Sequence, residues 1–275
     1  MDQSRRMLIN TNYYLELARG RIYGATTIHK FGLAEDIDTD DGIVNIWDGM
    51  DPDIGSKIPN YTYSTTADIT TMSSTDVGSS CVINVQGLDE NWDLVVQRVA
   101  LNGQSPVLLT VPLIRVFRGY MDCSQKLPNG EHVYIHTGAT LSGGKPTDDS
   151  TVRAIIDGYR AQTQMAMYTV PRGYKLYITR GWATTTGKSQ GNLIMTIRTR
   201  FFGKVWRQLH VVALKASGST VSDRSYEIPI VFEGQQDLEY LAATDTNDAG
   251  CSAGFHAMLI REDYGNSSPI AFYDI

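Results

Sequence analysis

The chain of 275 residues has few cysteines and no pattern that would pair them. Cys81, Cys123 and Cys251 lie far apart, are odd in number and form no CxxC motif. This spacing argues against a disulfide framework and against a zinc site. We expect free, buried thiols, which fits a protein that is made and folded in a reducing cytosol.

A long apolar run and an excess of basic residues are also missing. No segment approaches the roughly 18 consecutive apolar residues that a membrane-spanning helix needs. The start, "MDQSRRMLINTNYYLELARG", has no unbroken apolar stretch after its arginines and does not indicate a secretory signal. Formal net charge is -6, which disfavours binding to nucleic acid through phosphates. We therefore expect neither a membrane nor a nucleic acid among the partners.

Motifs of catalysis and cofactor binding are nearly absent as well. One segment, "GCSAG" at residues 250–254, has the GxSxG spacing, but Ser and Cys beside Gly are common turn neighbours and we assign it no catalytic role. The sequence contains no SxxK with its partner motifs, no Walker loop, and no GxGxxG that opens a helix. Glycosidase-type carboxylate pairs depend on separation in space, so sequence spacing cannot locate them. We expect a protein that is not an enzyme, with no cofactor and no catalytic residue.

The strongest metal-like pattern is the acidic segment "EDIDTDDG", residues 35–42. Asp36, Asp38 and Asp40 recur at a spacing of two, as oxygen ligands do in a calcium loop. The sixth and twelfth positions, counted from Asp36, hold Asp41 and Trp47 instead of the Gly and Glu of an EF-hand. A solvated acidic loop is the favoured interpretation, and whether it holds an ion is left open.

Two of the five histidines, His132 and His136, share one strand parity. Four residues along a strand span about 13 Å, which is too far for both to bind one metal ion directly. We expect surface or hydrogen-bonded histidines and assign no metal site.

Short alternating segments dominate from about residue 60. The stretch "GLDENWDLVVQRVALNG", residues 87–103, predicts one strand between two turns, with Gly87, Asp89, Asn102 and Gly103 shaping a scaffold. About ten such runs, separated by turn residues, predict an all-β fold of the β-sandwich or jelly-roll type. The predicted body covers residues 56–275, either as one unit or as two subdomains that meet near residues 140–160.

The clearest hairpin is "NLIMTIRTRFFGKVWRQLHVVALKASG", with its turn at Gly203-Lys204. Its alternation places Leu193, Met195, Ile197 and Thr199 on one face. The outward arginines at 198, 200 and 207 form either a basic stripe for an acidic neighbour or cross-strand pairs within the sheet.

Residues 1–55 differ from the body because they lack a sustained period. A short helix is expected around Tyr13 to Ala18, followed by an Asp- and Gly-rich stretch. We interpret this region as an extended N-terminal arm with little core of its own, ordered on the body or on a neighbouring subunit. The candidate interface residues are Tyr13, Tyr14, Arg21, Tyr23, His29, Phe31, Ile43 and Trp47.

The order of the motifs carries a resemblance. In succession the chain contains "GRIYGATTIHKFG", "IWDG", "VINVQGLDENWDLVVQRVALNGQSPV", "IRVFRGYM", "NGEHVYIHTG", "AQTQMAMYTVPRGYKLYITRGWATT", "SYEIPIVFEGQQDLEYLAAT" and "SAGFHAMLI". Over residues 21–262 this series resembles a family of virion structural proteins of tailed bacteriophages. The resemblance implies a capsid- or tail-associated β protein in many copies, found in the virion after synthesis in the host bacterial cytoplasm. It brings no catalytic residues.

Two functions from different classes follow. The first is a structural assembly protein whose arm contacts other copies of the chain, the major capsid protein or another virion protein. Within it, capsid decoration (a cement role) is favoured over a tail, connector or fibre role. The second is a host-recognition module that binds a cell-surface glycan or receptor through exposed Tyr and Trp side chains. A virion-borne hydrolase is a weaker third option, because its motifs are missing.

Overall fold

The computed structural model describes residues 13–185, 191–215 and 220–262. In these ranges antiparallel β-structure prevails, so the prediction of an all-β sandwich fold is confirmed. The α-helix of the described chain, α1, is short and spans Tyr13–Ala18. No helix in the described ranges is long and apolar enough to cross a membrane.

Two sheets form what we call the first sandwich, in the strand orders β11-β8-β3-β6 and β5-β4-β7. Its apolar core includes Ile69, Ile83, Val133 and Ile156. The strands are β3 (Ile69–Ser74), β4 (Val82–Leu88), β5 (Leu94–Ala100), β6 (Val107–Leu113), β7 (Arg115–Met121), β8 (His132–His136) and β11 (Val152–Asp157). A two-stranded ribbon, β9 (Leu141–Ser142) with β10 (Lys145–Pro146), accompanies them.

The second sandwich has the strand orders β1-β18-β13-β16 and β12-β17-β14-β15, and β2 pairs with β17. Its own core includes Leu176, Leu193, Phe255 and Leu259. The strands are β1 (Ala25–Ile37), β2 (Val44–Asn45), β12 (Met167–Thr169), β13 (Tyr174–Thr185), β14 (Asn192–Phe201), β15 (Arg207–Lys215), β16 (Val221–Phe232), β17 (Gln236–Thr244) and β18 (Ala249–Arg261). The chain passes from the first sandwich to the second at residues 158–166. A division into subdomains stays a prediction.

The predicted hairpin is confirmed as the β14–β15 pair. Leu193, Met195, Ile197 and Thr199 are buried, while the residues between them are exposed or half-buried. The turn glycine, Gly203, has a φ of 69°, which an L-residue with a side chain rarely adopts. Alternation therefore predicted this element correctly, because one face of the sheet is buried and the other is not.

Residues 25–54 differ from the expected arm. β1 pairs with β18 along nearly its whole length, and Val44, Ile46 and Met50 are fully buried in the second core. At Gly32 an added Cβ would lie 2.2 Å from the Ala166 backbone nitrogen, so this backbone is packed flush against the body. Apolar and polar residues alternate only weakly in this region. Both faces of β1 contain buried positions, and residues 44–50 are buried continuously. Residues 1–12 lie outside the described chain.

The expectation of three free thiols is wrong for two of them, since Cys81 and Cys123 form a disulfide. β4 and β7 are hydrogen-bonded neighbours with Ile83 opposite Met121, and continuing this register by two residues places the two cysteines opposite each other. The bond joins residues 42 positions apart, a separation that reveals no pairing in the sequence. Cys251 is a free, buried thiol as expected, and burial raises its pKa to about 12.

Candidate functional site

The predicted interface residues do not share one environment. Arg21 is exposed and pairs with Glu16 at 3.3 Å, and Ile43 is 61% exposed. The Tyr23 hydroxyl is half-buried beside Arg261. Tyr13 and Tyr14 lie in α1, and their side chains are outside the described part of the structure. Their role as interface residues stays a prediction.

Trp47 is an exception, because its side chain is fully buried. Its indole Nε1 donates a hydrogen bond to the Ile58 carbonyl at 3.0 Å, and its ring meets Tyr61 edge-on at 5.2 Å. A side chain in this position stabilises the core of the monomer and offers no surface to a partner. An interface role for Trp47 stays a prediction, and burial of its side chain within one chain disfavours it.

His29 and Phe31 contribute instead to a cleft of about 340 Å³ beside the edge strand β1. Its aromatic and amide lining includes Phe31, Phe117, Tyr168, Gln86 and Gln162. The hydroxyl of Tyr168 is buried and has no hydrogen-bond partner in the described chain. A cleft of this size with a few convergent polar groups is the usual form of a small-ligand site.

The titratable side chains with acidic or basic groups that line this cleft in the described chain, apart from Tyr168, are all basic: His29, Lys30 and Arg118. Lys30 is buried, donates its ammonium hydrogen to the Phe117 carbonyl, and has a pKa lowered to about 7 mainly by burial. His29 faces His256 across the β1–β18 pair with 4.3 Å between ring centroids, and burial and this neighbour lower the His29 pKa. The lining therefore favours a polar ligand with hydroxyl or anionic groups.

A second feature is apolar and lies at the free edges of both sheets of the second sandwich. Of the fifteen exposed large hydrophobic side chains in the described chain, nine fall in residues 194–231, so exposure of apolar groups is concentrated there. β15 and β16 are the edge strands of their sheets, and a groove of about 210 Å³ separates them. We call the exposed apolar side chains of these two strands the edge surface: Leu209, Val211, Val221, Ile228 and Val231.

Exposed edges of this kind are uncommon in proteins that stay monomeric. The hairpin tip between β14 and β15 adds the partly exposed rings of Phe201 and Phe202. Within β16, Pro229 lacks a backbone N–H and interrupts the edge, which opposes continuous strand addition. Contact through side chains is therefore favoured over a shared sheet.

The arginines at 198 and 200 do not form a free stripe. Arg198 pairs with Glu239, and Arg200 donates from Nε to Asp237 at 3.1 Å on the neighbouring strand β17. Both guanidinium groups also stack on the Trp206 ring, at 4.8 and 4.4 Å from its centroid. The cross-strand alternative describes these two residues correctly.

The acidic segment is neutralised by a lysine from the same chain. The Lys57 ammonium lies 2.8 Å from Asp36, 2.7 Å from Asp38 and 3.2 Å from Asp41, while Asp40 is exposed. Burial lowers the pKa of Lys57, but the hydrogen bonds that its ammonium donates to the three carboxylates outweigh this and raise the pKa above its usual value. The segment is thus an ion-paired loop, with the lysine at its centre.

His132 and His136 are both buried, so the expectation of surface positions does not hold, whereas hydrogen bonding does for His136. His136 lies 3.3 Å from the Ser73 hydroxyl through Nε2, and its Nδ1 accepts from the Gly138 N–H at 3.2 Å. Burial lowers the pKa of His136 to about 4. The imidazole of His136 is therefore neutral at pH values well above 4.

Comparison with known proteins adds little beyond the fold. No protein-family model and no curated protein matches the chain. The solved structures similar to it include the infectious bursal disease virus Gx strain (10% identity, 89% of this chain, 74% of that chain, TM-score 0.27). They also include the cowpea mosaic virus top component, a naturally occurring empty particle (10% identity, 75% of this chain, 88% of that chain, TM-score 0.24).

A third similar structure is TmCBM61 in complex with β-1,4-galactotriose (16% identity, 35% of this chain, TM-score 0.20). The chain spans 59% of the length of that structure. Scores of this size carry no argument about function. The chain itself is an all-β sandwich protein with a basic cleft and an apolar edge, and its function is inferred from those two surfaces.

Proposed function

We propose that this chain is a non-enzymatic structural protein of a virion that assembles in many copies through the edge surface. The exposed apolar groups of β15 and β16 carry the proposal, because water contact with such a surface is relieved by association. The motif order that resembles tailed-phage virion proteins gives the setting. Capsid decoration is favoured over a tail, connector or fibre location, with the major capsid protein or another virion protein as a further partner.

Burial and exposure support a contact on the edge surface in preference to the N-terminal region. Residues 25–54 are committed to the sheet and core of their own chain, whereas Leu209 and Val231 on the edge strands are each 45% exposed. A second copy that buries these side chains would remove apolar area from water at about 25 cal/mol per Å². We take the occupant of the edge surface to be another copy of the chain, because the resemblance to virion structural proteins implies assembly in many copies.

The test places a charge on the edge surface. The double variant Leu209→Lys, Val231→Lys changes two exposed side chains, one on β15 and one on β16. It leaves the buried core unchanged. We expect wild-type protein to form oligomers in light scattering, and the double variant to remain folded and monomeric and to fail to enter particles. Leu108→Lys is the matched control, since Leu108 is 75% exposed on β6 of the other sandwich. Oligomers that persist in the double variant would show that the edge surface is not the contact between copies of the chain.

A second candidate function is the binding of a host-surface glycan in the cleft. The observation that favours it is the joint presence of aromatic rings, amides and basic groups around one cleft of about 340 Å³. A glycan array with wild-type protein and Arg118→Ala tests it, and we expect binding that the substitution weakens. Arg224→Ala is the matched control, because both arginines stack on a tyrosine, at 4.9 Å for Arg118 and 5.5 Å for Arg224. An array without signal would count against this function.

A further inference from the structure

A buried cluster of one histidine and two carboxylates lies apart from both surfaces. His132 is the first residue of β8, Asp157 is the last residue of β11, and the two are direct partners in the β8–β11 register. Asp51 joins them from the link between two 3₁₀ turns, Asp48–Met50 and Pro52–Ile54. One nitrogen or oxygen from each of the three side chains lies within 4.8 Å of the others, and all three residues are buried.

In each carboxylate of this cluster, one oxygen accepts from a backbone N–H and the other faces the cluster and Arg160. Asp51 Oδ1 accepts from the Asp53 N–H at 2.9 Å, and Asp157 Oδ1 accepts from the Tyr159 N–H at 2.9 Å. The second oxygen of Asp51 lies 3.5 Å from His132 Nε2, which is buried without a hydrogen-bond partner in the described chain. Backbone donors that hold carboxylates in this way are a usual outer shell of metal sites.

Among residues 13–185, 191–215 and 220–262, the cation that contacts the carboxylates of this cluster is Arg160, and it does not balance their charge. Arg160 places Nη1 3.1 Å from Asp157 and 3.5 Å from Asp51, and its other nitrogen contacts Glu35. Three carboxylates therefore share one guanidinium, which leaves an excess of two negative charges in a largely buried place. Burial, together with the charges of Asp51 and Asp157, raises the pKa of the nearby Asp48 carboxyl well above its usual range. Unbalanced buried charge is costly, and a dication would remove it.

We propose that Asp51, His132 and Asp157 bind a first-row divalent transition metal ion such as Zn²⁺. An imidazole nitrogen with two carboxylate oxygens suits such ions, whereas Ca²⁺ and Mg²⁺ prefer oxygen ligands alone. Metal–ligand bonds of about 2.1 Å place two ligands of one ion no more than about 4.2 Å apart. The Asp51–His132 separation meets this limit, and small rotations bring in Asp157. The bound ion would link the two 3₁₀ turns to strands β8 and β11 of the first sandwich.

The acidic segment at residues 36–41 provides the contrast. Asp36, Asp38 and Asp248 also lie within ligand distance of one another. There, however, the Lys57 ammonium already lies among the carboxylates, and no histidine takes part. That segment supplies a control and not a second site.

The experiment uses the full chain after dialysis against a chelator, with Zn²⁺ as the titrant in calorimetry and native mass spectrometry. We expect one tightly bound Zn²⁺ per chain, a rise in the melting temperature, and no comparable effect of Ca²⁺. Asp157→Asn and His132→Gln should each lower the affinity at least tenfold. Asp36→Asn should leave it unchanged. Wild-type protein that binds no Zn²⁺ would overturn the proposal.

Two further variants keep the test decisive. His29→Ala with His256→Ala removes the exposed histidine pair, and loss of all binding in that variant alone would show an adventitious surface ion only. Arg160→Gln removes the competing cation at a position whose side chain is 23% exposed. If the site is correct, its affinity for Zn²⁺ rises by roughly tenfold, as close charge pairs couple by more than 1.4 kcal/mol. Folded Arg160→Gln protein without that gain would contradict the assignment.

Discussion

The replacement of Asp237 by alanine should be among the most damaging single changes in the molecule. Asp237 on β17 is fully buried and accepts from Arg115 Nε at 3.0 Å and Nη2 at 3.1 Å. It also accepts from the hydroxyl of Thr169 at 2.7 Å and from Arg200 at 3.1 Å. Because Arg115 lies on β7, this bidentate pair joins the first sandwich to the second.

The magnitude follows from what Asp237→Ala leaves behind. Arg115 is 2% exposed, and its guanidinium stacks at 5.0 Å on Tyr63 and 5.1 Å on Trp92, so it cannot move into water. Removal of one partner of a buried ion pair costs about 3–5 kcal/mol, because the other charge stays buried without compensation. This is a large share of the roughly 5–15 kcal/mol by which a domain is stable.

Urea unfolding followed by circular dichroism and tryptophan fluorescence measures this loss. The double variant Asp237→Ala with Arg115→Met removes the orphaned charge and should recover much of the stability, which gives a coupling free energy of about 2 kcal/mol or more. Thr199→Ala is a control for the neighbouring β14 position, since its hydroxyl bonds only backbone and amide groups. A loss below 1 kcal/mol for Asp237→Ala, or strictly additive effects in the double variant, would refute the reasoning.

Three further predictions concern other parts of the fold. Reduction of the Cys81–Cys123 bond should lower the free energy of unfolding by about 4 kcal/mol, measured as a drop in urea midpoint with and without a reductant. Acid should remove stability through His136: its folded pKa lies near 4, below the ordinary value of 6.5, so the unfolded state takes up the proton first and stability falls from pH 6.5 towards 4. His136→Gln should flatten the melting temperature over that range, and an unchanged slope would contradict this. Gly32→Ala should yield little folded protein, because the new Cβ would collide with the backbone of Ile46 at 2.3 Å; a normal yield would show that β1 can shift.

How much of the molecule the sequence predicts depends on whether the deciding contacts are local. The β14–β15 hairpin was predictable because alternation and a turn glycine lie within one segment. β1 was mistaken for part of an arm because its partner, β18, is more than 200 residues away. The burial of Trp47 and the cross-strand position of the disulfide likewise depend on contacts between separate segments. Hydrophobic periodicity within one segment does not predict them.

The candidate sites show the same limit. The acidic segment was visible as a run of Asp residues, but its counter-ion, Lys57, was not. Asp51, His132 and Asp157 come from three separated segments, and only the β8–β11 register brings the latter two together. The apolar residues on both faces of β15 hint at the edge surface, yet only the sheet order shows that β15 is an edge strand among the described strands.

The disulfide also has a mechanical consequence. It closes a covalent loop at the end of the β4–β7 ladder, so tension applied to the two ends of the chain passes through the sulfur atoms and bypasses the residues between them. The sequence separation of 42 between the two cysteines corresponds to about 140 Å of extended chain, which cannot be pulled out while the bond is intact. Four whole strands, β4, β5, β6 and β7, lie inside this loop. Under tension, the oxidised chain would therefore extend less than the reduced one.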